Sequence, residues 1–309
     1  MSAKGEQIQL ALNFDRAIIP TEFVKMPWEY LYLGPPDFQV AAEEKLAFVR
    51  VQDPEPREPV SPARRKLAAL MVAVTPSSQG GISTADDVSA HACAVVRKLE
   101  GFDVQQLKMP SALELMQQVS ETSYDILHYV GFGRYDERAE ADQLALGMPD
   151  YDFRDAPRFA DLLKQMFAEP PAGGERRPRI VVLQQIDGPA DLVPPDLSVF
   201  AWELLERGAE AVVAYQFPLP GDLSKRFNEE FYTQLAAGEP FEMAVQKARE
   251  LLRTLWPSLY PYLSPAAFVA QPGELRLTAA AGPSAPISRV GVTGAQAGVY
   301  GPPPIRVGG

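Results

Sequence analysis

Nucleophilic hydrolysis at neutral pH needs a thiol or hydroxyl and a base to take its proton, most often an imidazole with an unperturbed pKa of about 6.5. The 309-residue chain has one cysteine, Cys93, and two histidines, His91 and His128. Cys93 and His91 lie two positions apart in "HACAVVRKL", a stretch with helical spacing, so they leave the helix on different sides. Cys93 among apolar neighbours reads as a buried, inert thiol. His128 sits inside the apolar run "ILHYV" and reads as a core or supporting histidine. A lone cysteine excludes an internal disulfide, and one cysteine with two histidines falls short of a Cys/His zinc site. Neither a metal nor a cofactor is expected. An enzyme built here would have to use Asp125, His128 or Asp187, and no nucleophile or metal accompanies them.

Two strand ends are where a catalyst would be held. In "YDILHYVGFGRYD" a buried-type strand over residues 126–130 runs straight into Gly131-Phe132-Gly133. Two glycines around one side chain can present it at an open strand end, yet the side chain is a phenylalanine. In "IVVLQQIDG" a second such strand, residues 180–183, leads through Gln184 and Gln185 to Ile186, 54 positions after Phe132. The two amides could bind an extended peptide or lie on the surface, and Asp187 suits a turn before Gly188. The expected binding edge comprises His128, Gly131, Gly133, Gln184, Gln185 and Asp187, around Phe132 and Ile186.

A sheet must align these ends. Residues 7–14 and 45–51 read as strands, with a helix between them that Pro27 opens. Residues 52–66 hold Pro54, Pro56, Pro59 and Pro62 among charges and read as an extended linker. From residue 67 apolar strands (67–74, 104–107, 126–130, 180–183, 211–215) alternate with helices (84–99, 111–120, 158–167, 199–207, 223–237, 241–255). That alternation predicts the α/β class, with right-handed crossovers and a mostly parallel sheet covered by helices on both faces. Ligands of such sheets bind outside the carboxyl ends of the strands, which brings the two turns together. Trp28 and Trp202 read as core anchors. The division is an N-terminal strand-helix-strand part (1–51), the linker (52–66), the α/β core (67–257) and a C-terminal extension (258–309).

The formal net charge of −11 argues against nucleic acid or an anionic membrane as the main partner. Arg64-Arg65-Lys66 and Arg176-Arg177 with Arg179 are the basic clusters and read as solvated surface. No signal-peptide core opens the sequence and no apolar run approaches the ~18 residues of a membrane span, so the expected setting is cytoplasmic. Residues 281–309 contain seven glycines and five prolines. Ordering such a segment costs roughly 1–2 kcal/mol per residue in backbone entropy, and the tail is expected to be disordered alone and to engage a partner.

The caspase signature places a cysteine after a buried strand and a histidine about 50 residues upstream, the topology and spacing of Ile186 and Phe132. Residues from about 8 to 257 resemble a CHAT domain, the caspase-like cysteine peptidase family. In order along the chain, "MPWEYLY", "ALMVAVTP", "YDILHYVGFG", "IVVLQQIDG", "LLERGAEAVVAYQFPLP" and "FYTQLAAGEPFEMAVQKAR" are similar to the family's characteristic segments. The resemblance implies a caspase-like α/β/α sandwich. It also implies that the family's general base stands at Phe132 and its nucleophile at Ile186, neither of which can titrate. Implied in turn is a catalytically inactive member, with Phe132 plugging the vacant site against Ile186. Its work would be to bind, scaffold or regulate a protein or peptide at the strand-end cleft or through the tail. An active CHAT or caspase-like protease of a bacterial defence system is one such partner. The alternatives are a structural assembly subunit tethered by its tail, and a hydrolase using residues other than the family's. The oligomeric state is left open.

Overall fold

Strands apolar on both sides need helices on both sides, and the computed structural model of the chain has that arrangement. It describes residues 7–13, 25–30, 46–52, 66–75, 84–147, 151–167, 179–189, 191–257, 261–271, 275–277 and 287–293. The N-terminal part supplies β1 (Gln7–Asn13), a 3-10 turn (Trp28–Tyr30) and β2 (Leu46–Val51). The core follows as β3 (Leu67–Ala73), α1 (Thr84–Lys98), β4 (Phe102–Lys108), α2 (Ala112–Glu121) and β5 (Ile126–Gly131). Next come three short strands, β6 (Gly133–Asp136), β7 (Ala141–Leu146) and β8 (Asp152–Asp155), and then α3 (Ala156–Phe167) and β9 (Ile180–Gln185). The chain continues as α4 (Leu197–Glu206), β10 (Ala211–Tyr215), α5 (Gly221–Ala236), α6 (Phe241–Leu255), β11 (Pro265–Val269) and β12 (Ile287–Thr293).

Nine strands form one sheet in the order β12-β1-β2-β11-β10-β9-β5-β3-β4, and β6-β7-β8 form a separate small one. The large sheet is two parallel blocks of opposite direction. β10, β9, β5, β3 and β4 run one way, β12, β1, β2 and β11 the other, and the single antiparallel seam lies between β10 and β11. α1, α5 and α6 cover one face and α2, α3 and α4 the other. β5, β9 and β10 are buried along their whole length, as their largely apolar runs predict, with His128, Gln184 and Gln185 the polar exceptions. This is the expected α/β/α architecture.

Besides the 3-10 turn that stands at Trp28–Tyr30 where Pro27 is expected to open a helix, four features depart from the sequence reading. Strand β11 falls in the segment taken as a C-terminal extension, and it joins the N-terminal strands to the core. "PAAFV" is too short and too alanine-rich to signal a strand, but its five residues are all buried between β10 and β2. The polar stretch after residue 133 forms β6–β8, paired antiparallel. Within the tail, residues 287–293 are not left out of the fold: "ISRVGVT" pairs with β1 over its full length, because an uncovered strand edge offers a row of backbone partners. Arg179 is not solvated surface but buried, held by the Glu210 carboxylate at 3.1 Å and the Arg276 carbonyl at 2.9 Å. Arg64, Arg65, Arg176, Arg177, most of the linker and the rest of the tail lie outside the described residues.

A buried ionic cluster ties the N-terminal part to the core. Arg50 of β2 donates to the Glu29 carboxylate of the 3-10 turn, and the Gln216 amide, just past β10, donates to the same carboxylate at 2.9 Å. Arg249 of α6 lies 3.9 Å from Glu29 and donates to the backbone carbonyls of Pro265 and Phe48. All three charged side chains are fully buried. Trp28, the first residue of this turn, is partly buried against the core, and Trp202 is buried edge-on to Phe268 of β11.

Candidate functional site

Phe132 has no exposed surface. Its ring lies edge-to-face with Tyr151 at 5.0 Å and with Phe153 of β8 at 6.2 Å. Gly188 lies flat against it, so close that an added Cβ would come within 3.1 Å of the ring. Tyr151 reaches over the end of β3, where its hydroxyl donates to the Thr75 carbonyl at 2.9 Å. The Arg134 guanidinium of β6 sits 4.1 Å from the Phe153 ring centre. Ile186 is also buried, and its N–H donates to the Gly131 carbonyl at 2.8 Å, carrying the β5–β9 ladder one residue further. Both positions are buried at the adjoining ends of β5 and β9. The ring partners of Phe132, however, are Tyr151, Phe153 and Gly188, and aromatic residues in a stretch read only as polar gave no signal of this.

The two glycines have a packing cause. At Gly131 a Cβ would fall on the Tyr129 side chain, whose hydroxyl tucks under the turn and shares its proton between the carbonyls of Phe132 and Ala145, at 3.0 and 2.8 Å. At Gly133 it would fall on the Gln143 carbonyl of β7 and against Pro195. Both glycines make room for neighbouring chain. The segment after Gly188 then straps the turn down: Tyr135 donates its N–H to the Val193 carbonyl, and Asp196 its N–H to the Asp142 carboxylate, each at 2.8 Å. Lys25 pairs with that carboxylate at 3.3 Å. Burial, and the Asp142 charge after it, pushes the Asp196 carboxyl up from its ordinary pKa.

One layer deeper, on the same two strands, lies a polar network. His128 Nδ1 is 2.9 Å from the Tyr232 hydroxyl and Nε2 is 2.9 Å from Gln184 Oε1. Gln184 donates to the Tyr215 hydroxyl at 3.1 Å and accepts from the Asn228 amide at 3.0 Å. These roles place the proton of neutral His128 on Nε2. Burial drives its pKa down to about 4, partly opposed by the bond to Gln184, and pushes the hydroxyls of Tyr215 and Tyr232 well up.

Of the expected edge residues, His128, Gly131, Gly133, Gln184 and Gln185 are all buried, and only Asp187 is exposed. The amides read as surface or peptide-binding groups lie in the interior because β9 is central and covered on both faces. Asp125 belongs to the opposite end of the sheet. Its carboxylate accepts the Ala68 N–H at 2.8 Å, and its carbonyl accepts from Arg179 and Ile180, where β3 and β9 begin. Cys93 is buried, with its thiol pKa raised by desolvation, and His91 is half-buried on the α1 surface facing α5. Among the described residues no three His, Cys, Asp or Glu side chains are grouped to hold a metal ion, and no helix is long and apolar enough to cross a membrane.

Sheet order, helix layers and paired strand ends define a fold of the caspase-like cysteine peptidases. The gingipain R (RgpB) crystal structure aligns with a TM-score of 0.50 at 11% identity, over 86% of this chain and 77% of that one. The complex of the Porphyromonas gingivalis RgpB pro- and mature domains aligns at 0.51 and 12%, over 87% and 66%. The Drosophila initiator caspase Dronc aligns more loosely, at 0.37 and 11%, over 62% and 74%. No curated protein matches in sequence. The CHAT domain profile matches residues 15–258, and the chain belongs to that family.

Proposed function

We propose that this CHAT domain is a catalytically inactive peptidase fold, working in the cytoplasm as a binding or regulatory subunit for another protein. The observation that carries the reading is Phe132, packed without exposure between Tyr151, Phe153 and Gly188, with buried Ile186 on the neighbouring strand end. These are the positions where the family resemblance calls for an imidazole and a thiol. Neither side chain can accept or release a proton, and loss of nucleophile or base costs a hydrolase on the order of 10⁶ in rate. Cys93 is buried with a raised pKa, the reverse of what an attacking thiolate needs. His128 is fixed by two side chains inside the core.

A bound peptide would meet the outside of the strap and the exposed Asp187, since the cleft itself is filled. Partners of the kind suggested by the resemblance, an active CHAT or caspase-like protease in a bacterial defence system among them, belong to this reading. The test is incubation of the purified chain with peptide libraries and thiol-directed covalent probes, followed by pull-down from the source cells. No cleavage, no labelling coupled to turnover, and recovery of a defined partner that Asp187→Arg weakens are the expected results. Peptide turnover by the chain overturns the inactivity, and a partner indifferent to Asp187→Arg moves the binding surface elsewhere.

A further inference from the structure

The two edges of the nine-stranded sheet are unlike. On the β4 edge, Asp103 and Lys108 are well exposed and ion-paired, to Lys66 at 3.6 Å and to Asp86 at 3.9 Å. Charges of this kind are the usual guard against strand addition. The other edge is β12, "ISRVGVT", with Arg289 its only charge, no proline, and Ile287, Val290, Val292 and Thr293 all β-branched. It pairs with β1 without a bulge, from Gln7 opposite Ile287 to Asn13 opposite Thr293. Among the described residues no strand lies on its outer side, where its outward N–H and C=O groups form a regular row.

The sequence of that row fits itself. In an antiparallel pairing with a two-fold axis at Val290, Val290 faces Val290, Arg289 faces Gly291, Ser288 faces Val292 and Ile287 faces Thr293. No like charges stand opposite, and β-branched residues meet at the centre. Antiparallel pairing also closes as a dimer, whereas a parallel head-to-tail contact would not. We propose that the outer edge of β12 is a dimer interface, on which a second copy of this chain adds its own β12 and joins two sheets into one. This interface is independent of whether the strand-end site is active.

Sedimentation of the full chain across a wide concentration range tests it. Reversible dimers are expected, and they should tighten with added salt, which screens the repulsion of two copies at −11 each. Val290→Lys and Val290→Glu place like charges on the axis and should each give monomers whose far-ultraviolet circular dichroism matches that of the unaltered chain. Mixed one to one, the two should recover dimers, because the charges now match. Hydrogen exchange on the unaltered chain is a second readout: protection of residues 287–293 should grow with protein concentration. A chain that stays monomeric throughout overturns the proposal, as does a dimer that survives both variants, or a concentration-independent exchange pattern.

Discussion

The ends of β5 and β9 and the middle of the same two strands have exchanged their expected chemistry. At the ends, where a substrate would arrive, stand Phe132 and Ile186, enclosed by Tyr151, Phe153 and the strap. In the middle, where nothing can arrive, stand an imidazole, two carboxamides and two phenols, bonded to one another. Polar side chains in a core are tolerated when satisfied. An apolar residue at a strand end is favoured when something covers it. The residue types capable of chemistry therefore stand here where access is lacking.

The sharpest break of this contrast is Phe132→Ala. Removing a fully buried ring from an aromatic cluster should cost about 3–5 kcal/mol, read by urea unfolding. A loss well under 1 kcal/mol would mean the ring is not enclosed. Next comes the pH response of the deeper layer. His128 is neutral in the folded protein with a pKa of about 4, against about 6.5 unfolded. Between those values the unfolded chain binds a proton that the folded one does not, so stability rises with pH across the window and is complete above about 6.5. The gap is on the order of 3 kcal/mol, and His128→Gln should flatten the curve in that window. Smaller still, Gln184→Leu leaves His128, Tyr215 and Asn228 short of a partner and should cost about 1–3 kcal/mol. The exposed Asp187→Ala should shift stability by less than about 0.5 kcal/mol, and a larger change would place Asp187 in the fold's support.

The five core strands and six helices were legible because their apolar runs and helical periods are long. The pairing of the two strand ends followed from topology and a 54-residue spacing. What surrounds Phe132 was not legible: Tyr151 and Phe153 lie in a segment dense with Asp and Arg, and only the small sheet β6–β8 turns their rings onto the turn. Gly131 and Gly133 looked like a frame for a catalyst, and their cause is the underside of the turn, filled by Tyr129 and the β7 backbone. Strand β11 escaped because five buried residues carry no period, and β12 because a glycine-containing strand resembles coil until an edge receives it.

Glu29, Arg50, Gln216 and Arg249 come from four separate stretches of chain, and the one buried carboxylate has both guanidinium groups and the amide around it only when all four are seated. A half-docked N-terminal part would take Glu29 and Arg50 with it and leave the buried Arg249 without its carboxylate. The seam between the two strand blocks is thus an all-or-none latch: β2, β10 and α6 should open to solvent together, in one cooperative step, with no populated state in which β2 alone is released.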